Sequence, residues 1–298
     1  MDRFHLMNVF VAVAEEQGFA ATARRLHLSP PAVTRAIAAL EQQLGVKLLN
    51  RTTRFVRVTE AGRRYLEDAK RILDDLKAAD DAAAGINAEP RGHLVITAPV
   101  LFGRMFVMPG IVEYLNAYPG TEVSAMFLDR IVNLLEEGVD VGIRIGELPD
   151  SSLRALRVGS VRAVLCASQE YLQSHGLPRK PRDLLEHSII ASSAGNNAID
   201  WRFENVALRI QPRLTVTTND AAIEAARRGL GITRVLSYQV AGELSDDGLR
   251  LVLEKHEPPP LPIYIVHREG RFASARIRTF VDLMAKRLRV DKALNPTA

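Results

Sequence analysis

The chain has 298 residues, of which 47% are apolar and 25% charged, with a formal net charge of +4 at pH 7. This length exceeds the size at which a single hydrophobic core stops growing, so it predicts two or three folded units. No apolar run approaches the ~18 residues that a membrane span requires, and one cysteine cannot form an internal disulfide. The sequence shows no export signal, because the charges at Asp2 and Arg3 are followed by no small-residue cleavage site. We therefore expect a soluble, cytoplasmic protein with no membrane partner.

Positive charge is concentrated in the N-terminal part of the chain. Residues 1–65 hold ten Lys or Arg against five Asp or Glu, and the remainder is close to neutral. A basic segment beside a near-neutral body indicates that a polyanion, such as double-stranded DNA, binds the N-terminal part. Charge alone leaves open an uneven surface without functional meaning.

The N-terminal residues up to Gly45 are predicted to form three short helices. A first helix that ends at Gly18 is indicated by apolar residues spaced at i, i+3, i+4 and i+7, namely Met7, Phe10, Val11 and Ala14. An alanine-rich second helix is predicted over 20–26. Ser29 is a favourable N-cap, and Pro30 suits the first position of a third helix that ends at Gly45.

The second and third of these helices are joined by a short turn, and the third has a polar exposed face near its N-terminus. This is the helix-turn-helix arrangement, in which the second helix enters the major groove of DNA. Thr34 and Arg35 lie where they can contact bases. Beyond Gly45, strands at 48–49 and 55–58 flank a basic hairpin tip at 51–54, which is a wing suited to phosphate or minor-groove contact.

These residues resemble the N-terminal signature of the LysR family of bacterial transcription regulators. The matching segments are FAATARRLHLS at 19–29, AVTRAI at 32–37, LE at 40–41, LG at 44–45, LLNR at 48–51 and TEAG at 59–62. The predicted DNA-binding residues are Ser29, Pro30, Pro31, Ala32, Thr34, Arg35, Arg51, Thr52, Thr53 and Arg54. Many members carry Gln where this chain has Pro30, so base contacts depend instead on neighbours such as Ala32, Thr34 and Arg35.

A long helix is predicted after the wing, because residues 59–89 contain no proline. Apolar residues recur there at alternating steps of four and three, namely Tyr65, Ala69, Ile72, Leu76, Ala79 and Ala83. Such a heptad seam needs another helix to cover it. A second copy of the same helix gives a homodimer, and the alternative is packing on the chain's own body. The resemblance implies a homotetramer built from two such dimers, and Gly85, Pro90 and Gly92 mark a hinge.

The remaining sequence alternates strands with helices. Strands are predicted at 93–98, 122–128 and 139–145 and helices at 105–117 and 131–137, so we expect a parallel, doubly wound sheet. A second set has strands at 161–167, 213–217 and 263–266 and helices at 220–228 and 274–288. Two lobes follow from these two sets.

This region resembles the periplasmic-binding-protein-like effector domain of LysR regulators. The landmarks are VDVGIRIG at 139–146, CASQEYL at 166–172 and GLGI at 229–232, although Leu236 stands where members often have proline. The predicted fold is thus multidomain. It has an all-α-type winged helix-turn-helix at 1–59, a linker and dimerisation helix at 60–90, and a two-lobed α/β effector domain at 91–298. Lobe I is predicted at about 91–160 and 267–290, and lobe II at about 161–266.

A small-molecule effector is expected between the lobes, because ligands bind beyond the carboxyl ends of strands in open α/β sheets. Helix N-termini there attract anions, so an organic acid is favoured. The predicted effector-binding residues are Pro99, Val100, Leu101, Phe102, Leu128, Arg144, Ile145, Asn219, Thr233 and Arg234. Phe102 would supply apolar contact, and Arg144 or Asn219, an expected N-cap, would meet the acidic group. Alternatively, Phe102 belongs to the core and Arg144 only braces the lobes.

No pattern typical of a catalytic or metal site is present, so we predict no catalytic residue, no metal and no cofactor. The GLG segment at 229–231 ends a helix and begins a strand, the reverse of a dinucleotide-binding loop. Cys166 lies in an apolar strand and is expected to be a buried thiol. The rival hypotheses are a solute-binding protein for transport, which needs an export signal, and an enzyme, which needs a polar catalytic cluster.

Overall fold

The computed structural model describes residues 2–51, 56–83, 89–148, 153–193, 199–245, 248–267 and 274–295. The chain divides into two compact units, Met1–Ala88 and Glu89–Ala298. No described helix is long and apolar enough to cross a membrane.

The N-terminal unit is a winged helix-turn-helix. It contains α1 (Arg3–Glu16), α2 (Phe19–Arg25), α3 (Pro30–Leu44), an antiparallel ribbon of β1 (Leu49–Arg51) and β2 (Val56–Val58), and α4 (Glu60–Ala83). The predicted caps of α3 are confirmed, because the Ser29 side chain accepts a hydrogen bond from the Ala32 N–H and Gly45 adopts a left-handed φ of 67°. Buried residues of the three helices and β1 form the core: Leu6, Val9, Phe10, Val13, Ala23, Val33, Ile37, Leu40, Leu48 and Leu49.

The long helix α4 is only partly covered within one chain. Ala69 is fully buried against Met7 and Val11 of α1, with Tyr65 packed beside them. Further along α4, Ile72 and Leu76 expose 37% and 36% of their surface. The first part of the predicted seam is therefore covered by the chain's own body. The seam also includes Ala79 and Ala83, whose side chains are not among those that the structure describes.

The C-terminal unit contains two five-stranded sheets. The first has the order β4-β3-β5-β14-β6, formed by β3 (Gly92–Ala98), β4 (Thr121–Phe127), β5 (Val141–Ile145), β6 (Arg154–Val161) and β14 (Leu261–His267). The second has the order β11-β8-β12-β7-β13, formed by β7 (Ala163–Ala167), β8 (Ile189–Ser192), β11 (Leu214–Val216), β12 (Ile232–Leu236) and β13 (Arg250–Val252).

Smaller elements complete this unit. A ribbon pairs β9 (Asp200–Arg202) with β10 (Ala207–Arg209). The helices are α5 (Val100–Phe102), which continues through a π-helical turn into α6 (Met108–Ala117), then α7 (Gln169–His175), α8 (Asn219–Arg227), α9 (Ala241–Ser245) and α10 (Ala275–Val290).

The structure corrects the predicted sheet and lobe boundaries. Both sheets are mixed, because β14 runs antiparallel to β5 and β6, and β12 and β13 run antiparallel to β7. Residues 261–267 therefore belong to the first sheet, whereas the sequence analysis placed residues up to 266 in lobe II. Their apolar pattern predicted a buried strand correctly, but a buried strand has the same pattern in either sheet.

Two predicted helices also differ from the structure. Residues 131–137 form turns, in which the Asn133 side chain accepts from the Leu135 N–H at 3.1 Å and the Glu137 carboxylate accepts from the Asn133 N–H at 3.1 Å. The helix predicted to begin at residue 105 begins at Val100 and passes through Gly103. A Cβ atom at Gly103 would lie 2.4 Å from the Phe127 ring, so this glycine allows the helix to pack closely against Phe127.

Candidate DNA-binding face and effector cavity

The N-terminal part of α3 presents a solvent-facing surface. Ser29, Pro30, Pro31 and Arg35 are exposed, and Ala32 and Thr34 are half-buried. Val33, Ile37 and Leu40 of the same helix are fully buried, so packing fixes the helix and leaves the opposite face free. Arg51 ends β1, but its side chain and residues Thr52, Thr53 and Arg54 lie outside the described residues. Their DNA contacts remain predictions.

A buried carboxylate joins the wing to α3. Glu41 is 4% exposed, and its carboxylate accepts hydrogen bonds from the Leu48 and Leu49 N–H groups at 2.9 and 3.1 Å. The Lys47 ammonium lies 2.7 Å from the second oxygen. Burial alone raises the pKa of Glu41, but the Lys47 and backbone hydrogen bonds outweigh it and hold the pKa below its usual value. This contact was not predicted from the sequence, because Glu41 and Leu48 come into contact only when the wing packs against α3.

We expect Glu41→Gln to lower the free energy of unfolding of the N-terminal unit by about 1–3 kcal/mol at pH 7, because an amide supplies one acceptor where the carboxylate uses both oxygens. The depressed pKa means that this stabilisation is present above the usual glutamate pKa and is lost as pH falls through the lower folded value. Urea unfolding of both proteins at pH 7 and below pH 4 measures it. A difference that stays equal at both pH values would contradict this assignment.

The C-terminal unit holds a cavity of about 500 Å³ between its two sheets. The first sheet contributes residues at the ends of β3 and β5, and the second contributes residues of β8 and β12. Six of the predicted effector-binding residues line this cavity: Pro99, Leu128, Arg144, Ile145, Asn219 and Arg234. A cavity of this size accommodates a small organic molecule.

Four predicted residues do not line the cavity: Val100, Leu101, Phe102 and Thr233. Phe102 is fully buried, with ring centroids 4.8 Å from Phe106 and 5.4 Å from Tyr238, so the core alternative describes its position. Thr233 is fully buried within β12. The apolar residues at 100–102 lie in a helix whose inner face packs on the sheet, whereas the helix predicted from sequence began only at residue 105.

Asn219 was expected to be the N-cap of α8, but it lies one residue after the N-cap. It is the first helical residue of α8, and Thr218 is the N-cap. Asn219 nevertheless lines the cavity.

Several cavity residues were not predicted, notably Trp201, Ser192 and Tyr238. Trp201 is the single tryptophan of the chain and lies on the short β9 strand. A lone aromatic residue between polar segments was the only sequence feature that could have pointed to Trp201. Nothing in the sequence indicates that β9, which carries Trp201, and β8 contribute to the same cavity.

The two predicted arginines differ in their surroundings. Arg144 donates a hydrogen bond to the Val132 carbonyl oxygen. Burial lowers the pKa of Arg144, and the nearby Glu137 partly opposes that shift. Glu137 is itself paired with Arg130 at 2.6 Å. Arg144 thus has a hydrogen-bond acceptor and a carboxylate in its vicinity.

Arg234 lies on β12 with its guanidinium carbon 5.3 Å from the centre of the Trp201 ring. Burial lowers the pKa of Arg234 to about 10. No carboxylate among the described residues lies within salt-bridge distance of it, and its guanidinium makes no hydrogen bond to them. A ring face gives a desolvated cation weaker stabilisation than a carboxylate does.

Asp129 supplies the acidic group of the cavity wall. Its carboxylate accepts a hydrogen bond from the Val100 N–H at 3.0 Å. Burial raises the pKa of Asp129, and repulsion from Asp220 adds to this effect. Arg144 on the first sheet and Arg234 on the second also line the cavity, so it favours an anionic ligand that carries, in addition, a hydrogen-bond donor for the Asp129 carboxylate.

The arrangement is suited to binding. Within the described ranges, no three His, Cys, Asp or Glu residues lie together in a way that could hold a metal ion. Cys166 is fully buried, and burial raises the pKa of its thiol to about 12, so it stays protonated. A winged helix-turn-helix followed by a two-sheet domain with a ligand-sized cavity defines a ligand-responsive DNA-binding regulator.

Comparison with known proteins identifies the family. The model of the bacterial regulatory helix-turn-helix protein of the lysR family matches residues 4–63, and the model of the LysR substrate binding domain matches residues 87–289. The chain belongs to the LysR family of transcriptional regulators. As a member, it binds DNA through its N-terminal unit and a small molecule through its C-terminal unit, it forms oligomers, and it is not an enzyme.

Characterised relatives and solved structures agree with this assignment. The chain is 33% identical to the transcriptional activator AaeR of Escherichia coli K12 over 273 residues, covering 90% of this chain and 88% of the relative. It resembles the solved structure of CrgA, a LysR-type regulator from Neisseria meningitidis, with a TM-score of 0.62, 28% identity, and coverage of 95% and 98% of the two chains. The full-length structure of the Vibrio cholerae virulence activator AphB gives a TM-score of 0.61 with 27% identity, covering 96% and 99%.

Proposed function

We propose that this regulator acts in the cytoplasm as a homodimer, assembled into a homotetramer, and that its effector is an organic acid. Its operator contacts come from Ala32, Thr34 and Arg35 at the start of α3 and from the wing at 51–54. Basic residues there would meet phosphates, and the α3 side chains would meet base edges.

The observation that carries the effector proposal is the pair of arginines on opposite walls of one cavity. Arg144 comes from the first sheet and Arg234 from the second, and neither forms an ion pair among the described residues. A carboxylate is the complementary ligand, since a guanidinium binds it through two parallel hydrogen bonds. A ligand that contacts both sheets favours one arrangement of the lobes over another, and only such differential contact can shift the equilibrium that controls DNA binding.

The dimer proposal is carried by the exposed apolar residues of α4. Ile72 and Leu76 lie four residues apart on one face and remain about one-third exposed in the single chain. The same helix from a second copy would cover them with matching residues. The tetramer is carried over from the resemblance to the family.

A melting-temperature assay on the full-length protein tests the effector proposal. Small carboxylic acids are compared with their neutral amides, and we expect the acids alone to raise the melting temperature. Arg144→Ala should reduce that response while basal DNA binding is kept. Phe102→Ala is unsuitable as a test because Phe102 is core.

We expect Arg35→Ala to lower operator affinity by about 1–3 kcal/mol and to relax specificity at one position of each half-site. Arg35 is exposed on α3, one turn from the helix start, where a side chain reaches base edges. Arg51→Ala is the comparison, because loss of a phosphate contact should weaken all DNA sequences alike. Fluorescence anisotropy with operator and random duplexes at several salt concentrations distinguishes loss of a base contact from loss of a phosphate contact. If Arg35→Ala weakened random DNA as strongly as operator DNA, the base-contact assignment would be wrong.

A further inference from the structure

We infer that Arg234, held against Trp201, is the residue that binds the effector's carboxylate, and that Arg144 is a secondary contact. This inference rests on the proposed function, in which the effector is an organic acid. It reverses the expectation from sequence, where Arg144 or Asn219 was to meet the acidic group.

Three arginines line the cavity, and they differ in their partners. Arg130 pairs with Glu137 at 2.6 Å and is already neutralised. Arg144 donates to the Val132 carbonyl oxygen and lies near the same Glu137. Arg234 alone of these has neither a carboxylate nor a hydrogen-bond acceptor within the part of the chain that the structure describes. It therefore keeps its full capacity to donate to a ligand.

Arg234 is half-buried, and burial by itself lowers its pKa to about 10. A buried cation without a counterion destabilises the folded protein, and a bound carboxylate offsets that cost. The charge therefore lowers the stability of the ligand-free state and raises the affinity for an anion. Among the described residues, Arg234 has no partner of the kind that a charge retained mainly for stability would have.

Arg234 is held in place by an aromatic ring. The Trp201 ring lies 5.3 Å from its guanidinium carbon, and Trp201 is itself 2% exposed and therefore rigidly placed. The ring restricts the long side chain without using its hydrogen-bond donors, so little side-chain entropy is lost when a carboxylate binds. A carboxylate on Arg234 changes the charge beside the ring. Trp201 is the single tryptophan, so its fluorescence reports on this site alone.

The test uses full-length protein with acetate, benzoate, phenylacetate and succinate as probes, each paired with its neutral amide. Wild type is compared with Arg234→Met, which keeps an unbranched apolar stem but removes the guanidinium and its charge, and with Arg234→Lys and Arg144→Met. Melting temperature and Trp201 fluorescence are measured with and without each probe.

We expect Arg234→Met to melt at or above the wild-type temperature without probe and to lose about tenfold to a hundredfold in affinity for the acids. Arg234→Lys should keep part of that affinity, and Arg144→Met should lose less. The acids, but not the amides, should change Trp201 emission in the wild type.

Two results would overturn the inference and leave the proposed function standing. One is an acid that stabilises Arg234→Met as much as the wild type. The other is a lower melting temperature of Arg234→Met without probe, which would show that the charge has a structural role. A wild-type protein that no acid stabilises would instead overturn the proposed function.

Discussion

Leu76→Glu is expected to convert the protein to a monomer in its DNA-binding part and to lower operator affinity about a hundredfold or more. Leu76 and Ile72 are large apolar side chains that a single chain leaves about one-third exposed on α4. In a dimer they would face the same residues of the partner, and a carboxylate there would be desolvated against apolar groups. A dimer binds two half-sites with the second contact at high effective concentration, so its loss costs far more than one contact.

Lys77→Gln is the matched control. Lys77 is exposed beside the seam, and its replacement changes the net charge by the same single unit as Leu76→Glu. Sedimentation velocity gives the mass, and anisotropy with a full operator and an isolated half-site gives the affinities. We expect only Leu76→Glu to change the mass and to lose the advantage of the full operator. An unchanged mass would remove the α4 seam from the dimer interface.

The helix boundaries of the N-terminal unit could be predicted because capping residues act on the backbone next to them. Ser29 and Pro30 begin α3 and Gly45 ends it through backbone preferences that act within a few residues. The sheet position of residues 261–267 could not be predicted in the same way. These residues form β14, which pairs with β5 and β6 about a hundred residues earlier in the chain. An apolar pattern does not identify the strand with which β14 pairs.

The effector site shows the same division between local and long-range information. The loop positions of Pro99, Arg144 and Asn219 followed from the general rule for α/β sheets, and the structure brings all three to one cavity. Phe102 was misplaced because the helix predicted to begin at residue 105 begins at Val100, and Gly103 lies inside it against Phe127. The environment of Arg234 depends on Trp201, which comes from a separate ribbon, so only the three-dimensional structure shows that no described residue supplies Arg234 with a counterion.

Gly62→Ala is expected to unfold the N-terminal unit at a melting temperature lower by more than about 10 °C, corresponding to about 3 kcal/mol. A Cβ atom at Gly62 would lie 2.1 Å from the Leu48 carbonyl oxygen and 2.8 Å from a methyl group of Val58. The Leu48 carbonyl cannot easily move, because it accepts from the Thr59 N–H at 2.9 Å while the Leu48 N–H donates to Glu41. The glycine of the TEAG segment is thus required where the first turn of α4 contacts the wing.

Gly242→Ala provides the comparison, because it makes the same substitution in a helix where a Cβ atom meets nothing within 4 Å. We expect it to leave stability unchanged or to raise it slightly, as alanine favours helices. Differential scanning calorimetry of the full chain would follow both units, and anisotropy would follow operator binding. Gly62→Ala should shift the transition of the N-terminal unit and weaken operator binding, while the acid-induced stabilisation of the C-terminal unit stays at its wild-type value. If Gly62→Ala instead had the melting temperature and the operator affinity of the wild type, α4 could move away from the wing without loss of the DNA-binding fold.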